Sequence, residues 1–418
     1  MMDLDEANRT LSARVRPGPT VSLPLRDAAG RTLAETIRPD ADSPPFDRSV
    51  MDGYAVRAAD VRSAPTSLRV VGALPAGAAP PSALAPGEAM QINTGAMIPP
   101  GADAVVRVED TERIDGGEAV LIRRPVGAGR FIQTRASFRK AGSTVLDIGA
   151  VLAPAEIGAC AAAGAAAVSV FRRPTVAVLS TGDELVDIDR APTGARIRDS
   201  NRYLLEALVR SANAEPVVLA STPDDRAVLR ERVARGLDHD VLCITGGVSM
   251  GAFDFVPEVL AALGVTVHIR KLAIKPGRPL LFGTAPNGSL VFALPGNPAS
   301  AFVGFELLVR PALAALEGRP GALPPRVHAR LCGSLSPTRE RRTFTPARAA
   351  LDETGAWIAR PLTWGGSGDA LGLAGVNALL DQPPQSDGLD AGATVSMHLI
   401  GADYARLARA TADAEESA

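Results

Sequence analysis

Between residues 174 and 318, short apolar runs rich in β-branched residues alternate with amphipathic stretches. Val176–Leu179, Val217–Ala220, Val241–Thr245 and Leu290–Leu294 read as buried strands. Tyr203–Ser211, a segment headed by Asp224-Asp225 and running to about Arg235, Phe255–Leu263, and a stretch opening at Pro298 read as helices. This alternation predicts a parallel, doubly wound sheet. The last helix carries Phe302, Phe305, Leu308 and Val309 at helical spacing, which is a core stripe. Ligands of such sheets sit beyond the carboxyl ends of the strands. Glu184, the Asp224-Asp225 pair, Gly246-Gly247 with Asp254, and Pro295-Gly296-Asn297 all follow predicted strand ends. Topology alone therefore brings them to one edge.

The rest of the chain has other rhythms. Asp3 can cap a helix from Leu4 to about Val15, with Glu6 completing a capping box. Leu33–Ile37 has strand composition. From about 57 to 145 short strands and glycine turns repeat with no helical period, which predicts a small barrel or sandwich. Pro154–Ala163 is helical and Ala166–Val170 a strand, so the β lobe is inserted between two halves of one elongated domain. Val327–Leu331, Arg342–Ala347, Trp357–Arg360 and Thr394–Ile400 are strands of a last small β domain. The predicted division is 1–45 with 146–173 as the elongated N-terminal domain, 46–145 as the inserted β lobe, 174–318 as the α/β domain, 325–402 as a C-terminal β domain and 403–418 as a tail.

Composition narrows the function. The chain has 418 residues, of which 46% are hydrophobic but only 4% aromatic, so its cores are built from Ala, Val and Leu. A formal net charge of −2 gives no general attraction to nucleic acid or an anionic membrane, and any anion site must be local. Asp3, Asp5 and Glu6 stand where a signal peptide would be basic. The longest uncharged apolar stretch, Ile157–Phe171, is short and alanine-rich, so no membrane span is expected. Cys160, Cys243 and Cys332 are far apart and His239, His268, His328 and His398 form no cluster, which argues for reduced buried cysteines in a cytoplasmic protein and against a zinc site or a Ser-His-Asp triad.

The chemistry gathers in residues 241–300. A strand, the Gly246-Gly247 turn and a helix start present free N–H groups to an anion, and Asp254 adds a carboxylate there. Val265–Ile274 has strand composition, and in an extended segment residues four apart share a face, so Lys271 and Lys275 point the same way, with Arg278 beyond the Pro276-Gly277 turn. Three cations without a nearby acid point to an anionic ligand. Asn297 is a predicted N-cap, with Pro298 at the first helical position. Trp364–Asp369 is a second flexible, anion-compatible loop. Asp52-Gly53 between apolar runs reads as a hairpin turn, with Asp52 either turn chemistry, the reading the residues favour, or a site carboxylate.

PPFDRSVMDGYAV, INTGAMIPPGADAVVRVED, STGDEL, RDSN, TGGVSMGAFD, KLAIKPGRP, LPGNPASA and GSGDALGLAGVNALL occur in that order. Together they resemble the molybdopterin molybdenumtransferase family, the MoeA-type molybdenum insertases, to which the E domain of gephyrin is related. The resemblance implies a multidomain chain: a central doubly wound molybdopterin-binding α/β domain, an inserted β lobe and a small C-terminal β-barrel. It implies Mg²⁺-dependent insertion of molybdate into the dithiolene of adenylylated molybdopterin, with release of AMP. Glu184, Asp224 and Asp254 match the family's functional and metal-holding acids, and Lys271 and Lys275 its basic residues. Asp52 and Thr94 match residues lining the same cleft from the β lobe. Gly246, Gly247, Ser249, Arg278, Pro295, Gly296, Asn297, Pro298 and Ser367 fall in the matching substrate-binding motifs. A symmetric homodimer, whose second subunit completes the cleft, is implied as well, with transient contacts to molybdopterin adenylyltransferase and to molybdoenzyme maturation factors. Arg278 departs from the lysine of many members, and Arg48 from a small polar residue. Two rival readings are the sister adenylyltransferase, which usually has Thr-Gly-Gly-Thr-Gly where this chain has Thr245-Gly246-Gly247-Val248-Ser249, and a non-catalytic gephyrin-like scaffold.

Overall fold

The computed structural model describes residues 1–248, 255–319 and 323–401. They form two compact units, one of Met1–Val21 with the chain from Val170 onward, the other of Ser22–Ser169.

The first unit is built on a six-stranded sheet ordered Glu215–Val218, Thr175–Ser180, Val241–Thr245, Leu290–Leu294, Leu281–Thr284, Thr266–Ile269. The first four strands pair in parallel, and Leu281–Thr284 runs antiparallel to both of its neighbours. Alternate residues of the central strands feed two separate cores. Val176, Val178, Val241, Cys243, Leu290 and Phe292 face one side, and Ala177, Leu179, Leu242, Ile244, Val291 and Ala293 the other. Leu205 and Val209 of the Ser200–Ser211 helix pack on the first side, and Leu229 and Val233 of the Arg226–Gly236 helix on the second. A strand buried on both faces reads as a continuous apolar run, which is why these strands were conspicuous.

Three expectations change, and the Leu4–Ser12 helix packs into the α/β unit. Its stripe Leu4, Ala7 and Leu11, continued by Val15, is buried in the same core as Phe282 and Leu308. Val265–Ile274 is not one strand: Thr266–Ile269 ends at the sheet edge, Leu272 bridges Met2, and Ile274–Lys275 pairs with another sheet. The Pro298 helix is interrupted by a π turn at Phe305–Val309 before resuming as Arg310–Leu316. Pro311, with no N–H and a ring that crowds the carbonyl four residues back, gives the local cause. This 19-residue helix would suit a membrane crossing by length and composition, but 89% of it is buried inside the protein. Cys332 is half-buried, whereas Cys160 and Cys243 are buried; all three are free, and burial pushes the Cys243 thiol up to about 12.

Five strands, Arg342–Leu351, Trp357–Pro361, Arg326–Leu331, Thr394–Leu399 and Ala378–Gln382, close into a barrel through pairing of the first with the last. Ala329, Leu331, Ala347, Ala359, Leu380 and Met397 fill it. Small residues suit a bore this narrow. Ile274–Lys275 adds itself in parallel to Arg342–Thr343, so a segment from the α/β domain extends the barrel sheet.

The second unit carries a six-stranded sheet ordered Ala104–Arg107, Gly53–Val56, Glu88–Ile92, Thr66–Leu74, Ala119–Ile122, Thr111–Ile114. It has no closing pair among the described residues. Tyr54 and Val56 enter one core and Ala55 another. Asp52-Gly53 is not a hairpin turn: Arg48–Ser49 pairs with Ile132–Gln133, while Gly53–Val56 pairs with Glu88–Ile92 and Ala104–Arg107. Gly53 is required because a Cβ there would collide with the Val106 carbonyl.

An ion network fastens the barrel. Arg342 donates Nε–H at 2.7 Å and Nη2–H at 2.6 Å to the two oxygens of Asp381, which also meets His398 Nε2 at 3.1 Å. Burial alone would raise the Asp381 carboxyl, but its bonds to Arg342 and His398 prevail and hold it well below the usual carboxylate range. A depressed carboxyl contributes stability above its unfolded value of about 3.9, and that contribution is lost as pH falls from there toward the folded value. Asp381→Asn is expected to cost about 3–5 kcal/mol at neutral pH, by stranding Arg342. It should also flatten the acid side of the stability–pH curve. Urea titrations from neutral to about pH 3 check both, and an unchanged acid limb would contradict the assignment.

Candidate functional site

The sheet's parallel strands end side by side, and each end carries a polar or glycine turn. After Thr175–Ser180 the chain makes one further bridge, Thr181 to Thr222 beyond the neighbouring strand. Gly182 follows at φ 148°, and a Cβ there would collide with the Glu184 carboxylate, so glycine makes the cradle in which Glu184 folds back over the strand end. Thr181 Oγ–H donates to Asp224 Oδ1 at 3.2 Å, and the Asp224 N–H donates to Asp183 Oδ1 at 3.2 Å. Asp225, beside it, accepts from the N–H groups of Ala227 and Val228 at 2.9 Å and caps the Arg226–Gly236 helix. The two members of the Asp224-Asp225 pair thus have different tasks.

The next two strand ends touch. Gly246 and Gly247 have φ of 89° and 62°, and the Gly246 N–H donates to the Leu294 carbonyl at 3.3 Å. A Cβ on Gly296 would lie 3.6 Å from Gly246 Cα, and one on Gly246 would collide with the Thr181 carbonyl. A continuous line of contacts therefore runs from Asp224 through Thr181 and Gly246 to the Pro295–Pro298 turn.

Beyond that turn lies a cavity of about 870 Å³ between the α/β domain and the barrel. Lys275, Arg278, Pro295, Asn297 and Ser367 line it, with Arg339, Glu340 and Arg341 from the barrel. Four cations face one carboxylate, so the cavity is strongly positive. Lys275 and Arg278 are exposed and form no ion pair among the described residues, whereas Arg341 Nη1–H donates to the Ile274 carbonyl at 3.3 Å. The loop carrying Ser367 is shaped by Asp369, whose carboxylate accepts the N–H groups of Gly365 at 2.8 Å and Gly372 at 2.9 Å. These bonds hold its carboxyl below the ordinary aspartate value. Asn297 stands at the start of the Pro298 helix but its side chain does not cap it; Nδ2–H donates to Ser367 Oγ at 3.1 Å, and the Ala299 N–H donates to the Ser367 carbonyl at 3.0 Å.

The structure thus joins Glu184, Asp224, Gly246, Gly247 and Gly296 along the strand ends, and Lys275, Arg278, Pro295, Asn297 and Ser367 around the cavity. Pro298 starts the helix behind them. Lys271 does not line the cavity. It sits half-buried on the extended segment, its carbonyl accepting the Met2 N–H at 3.0 Å. Ser249, Asp254 and the 403–418 tail lie outside the described residues. Asp52 and Thr94 lie in the second unit, where Asp52 Oδ1 accepts from the Thr94 N–H at 2.7 Å and the Thr94 Oγ–H at 3.1 Å. Arg339 and Arg341 were missed by sequence reasoning. The signal was present as three arginines in the four residues 339–342, but their distance in sequence from Lys275 hid their role.

Three family descriptions match the chain in order: MoeA N-terminal region (domain I and II) over residues 2–164, probable molybdopterin binding domain over 177–315, and MoeA C-terminal region (domain IV) over 328–400. A molybdopterin molybdenumtransferase of Staphylococcus aureus (strain Mu50) is 33% identical over 93% of both chains. One from a Nostoc species is 40% identical over 70% of this chain and 68% of its own. The crystal structure of a molybdopterin biosynthesis MoeA protein from Pyrococcus horikosii superposes with a TM-score of 0.83 at 31% identity, covering 96% of this chain and 99% of that one. Motifs, domain order, fold and whole-chain similarity agree: the chain belongs to the MoeA-type molybdopterin molybdenumtransferase family, transferases of molybdenum cofactor biosynthesis.

Proposed function

We propose that the chain inserts molybdate into the dithiolene of adenylylated molybdopterin and releases AMP, with the chemistry set in the cavity beside the strand ends. The observation that carries this reading is the 870 Å³ cavity in which Lys275, Arg278, Arg339 and Arg341 face one acid, Glu340. Both reactants are anions. Two like unit charges about 4 Å apart repel by ~4 kcal/mol at an effective dielectric near 20, so bringing them together needs fixed positive charge. The four cations supply it before the reactants arrive, which is electrostatic preorganisation. Asn297 and Ser367 add neutral polar groups. Mo–S bonds form to the dithiolene sulfurs as two molybdate oxygens leave as water with the two thiol protons and two from solvent, and one water adds across the P–O bond of the anhydride as it breaks, with AMP as the leaving group. No protein nucleophile is required.

Mg²⁺ fits the carboxylate edge. Glu184, in its cradle over Gly182, and Asp224 are hard oxygen donors. No group of three or more His, Cys, Asp or Glu among the described residues could hold a metal alone. Two carboxylates suit Mg²⁺, which retains waters and takes substrate phosphates. Bound there, Mg²⁺ would neutralise phosphate charge. The resemblance assigns Asp254 as a third acid.

We also propose a cytoplasmic homodimer that makes transient contacts with molybdopterin adenylyltransferase and with maturation factors, and neither nucleic-acid nor membrane binding. The dimer is supported by Val50 and Met51, each 38% exposed beside Asp52, an apolar pair that a second copy would cover. Light scattering should give twice 43.2 kDa; a monomer mass would remove the proposal.

Lys275→Ala is expected to slow AMP release from adenylylated molybdopterin, molybdate and Mg²⁺ by about 10²–10³, as for loss of one preorganised group. Glu184→Ala should lose activity while circular dichroism and melting stay as in wild type, because the acid sits at a strand end and outside the core. Wild-type rates in both variants would refute the site. Wild-type protein that instead makes adenylylated molybdopterin from ATP would favour the sister enzyme. Absent turnover with tight binding to a membrane receptor would favour the scaffold.

A further inference from the structure

Behind the strand ends lies a polar network to which the proposed chemistry assigns no part. Asn201 is the second residue of the Ser200–Ser211 helix and is 8% exposed. Its Nδ2–H donates to the Gly296 carbonyl at 2.6 Å. The helix start is itself held from below. Asp199, 3% exposed, accepts from the Arg202 N–H at 3.1 Å and from the Ser180 Oγ–H at 3.1 Å, and Thr245 Oγ–H donates to Ser180 Oγ at 3.4 Å. Ser180 and Thr245 are the last residues of their strands. Asn201 is thus anchored to two strand ends and grips the turn that leaves a third.

We propose that Asn201 is a positioning residue for the anion cavity. It does not line that cavity. It fixes the Gly296 peptide, and with it the flanking Pro295 and Asn297, which do line it. Asn297 in turn holds Ser367 through the 3.1 Å bond from Nδ2–H. Gly296 and Asn297 are exposed, so packing alone does not immobilise them. Gly296 also approaches Gly246 closely, leaving no side chain there to lock the turn. The Asn201 amide therefore ties the middle of the turn to the sheet, beside the Gly246 bond to the Leu294 carbonyl and the Asn297 bond to Ser367, and the cavity's polar wall follows.

The inference rests on the functional reading in taking molybdate as the anion. Equilibrium dialysis of molybdate against the full chain tests it. Asn201→Ala is expected to weaken molybdate binding about tenfold, the effect of one lost hydrogen bond of ordinary strength. Asn201→Asp places a carboxylate against the Gly296 carbonyl. It cannot donate when ionised, but it can when protonated, and burial beside an acceptor raises its pKa. Relative to wild type at the same pH, Asn201→Asp should bind weakly at about pH 8 and recover toward about pH 6. Comparing one variant with itself across pH separates positioning from a defect in folding. Wild-type affinity in Asn201→Ala would overturn the inference, as would an Asn201→Asp protein equally weak at both pH values. Wild-type protein that takes up no molybdate would overturn the functional reading and this inference with it.

Discussion

A two-residue pairing holds the site together. Ile274 and Lys275 run parallel to Arg342 and Thr343, so the segment that leaves the α/β sheet becomes an edge of the C-terminal barrel. Arg341 reaches back to the Ile274 carbonyl, and the Arg342 N–H donates to the Ala273 carbonyl at 3.1 Å. Without this junction Lys275 and Arg278 would stand on one domain and Arg339 and Arg341 on another. With it, four like charges share one cavity. Such a gathering is unfavourable by itself, and the cores on either side must hold it in place. An arriving anion relieves it, so the same repulsion that opposes the empty cavity favours a loaded one.

The sheet supplies the other half of the site for a different reason. Its parallel central strands alternate residues between two cores, which leaves no side-chain position free for chemistry along their length. Polar function is displaced to the ends, where Thr181, Glu184, Asp224, Gly246 and Gly296 sit. The contacts from Asp224 to Gly296 are short and mostly backbone-mediated, so the carboxylate edge and the cation cavity keep a fixed relation. In the proposed reaction, which brings a phosphoanhydride and an oxyanion together, that relation matters more than any single charge.

Much of this was legible in the sequence because it is local. Strands buried on both faces are continuous apolar runs, and acids and glycines that follow them must lie at one edge. The Phe302, Phe305 and Leu308 stripe identified a core helix because burial demands helical spacing. What was not legible is long-range. The allegiance of the Leu4–Ser12 helix depends on which distant core accepts its stripe. Barrel closure required the Ala378–Gln382 strand, whose alanine, aspartate and glutamine disguise it. Asp52-Gly53 looks like a hairpin turn by residue type, but the flanking strands pair elsewhere and Asp52 bonds Thr94 instead. Lys271 and Lys275 look equivalent by spacing, yet the chain changes sheets between them.

The account stands on the cavity between Lys275, Arg278, Arg339 and Arg341 being where the oxyanion is held. Anomalous diffraction at the molybdenum edge, from crystals soaked in molybdate, measures this directly. A peak within contact distance of those four side chains is predicted. A peak elsewhere on the molecule, with none in that cavity, would contradict it.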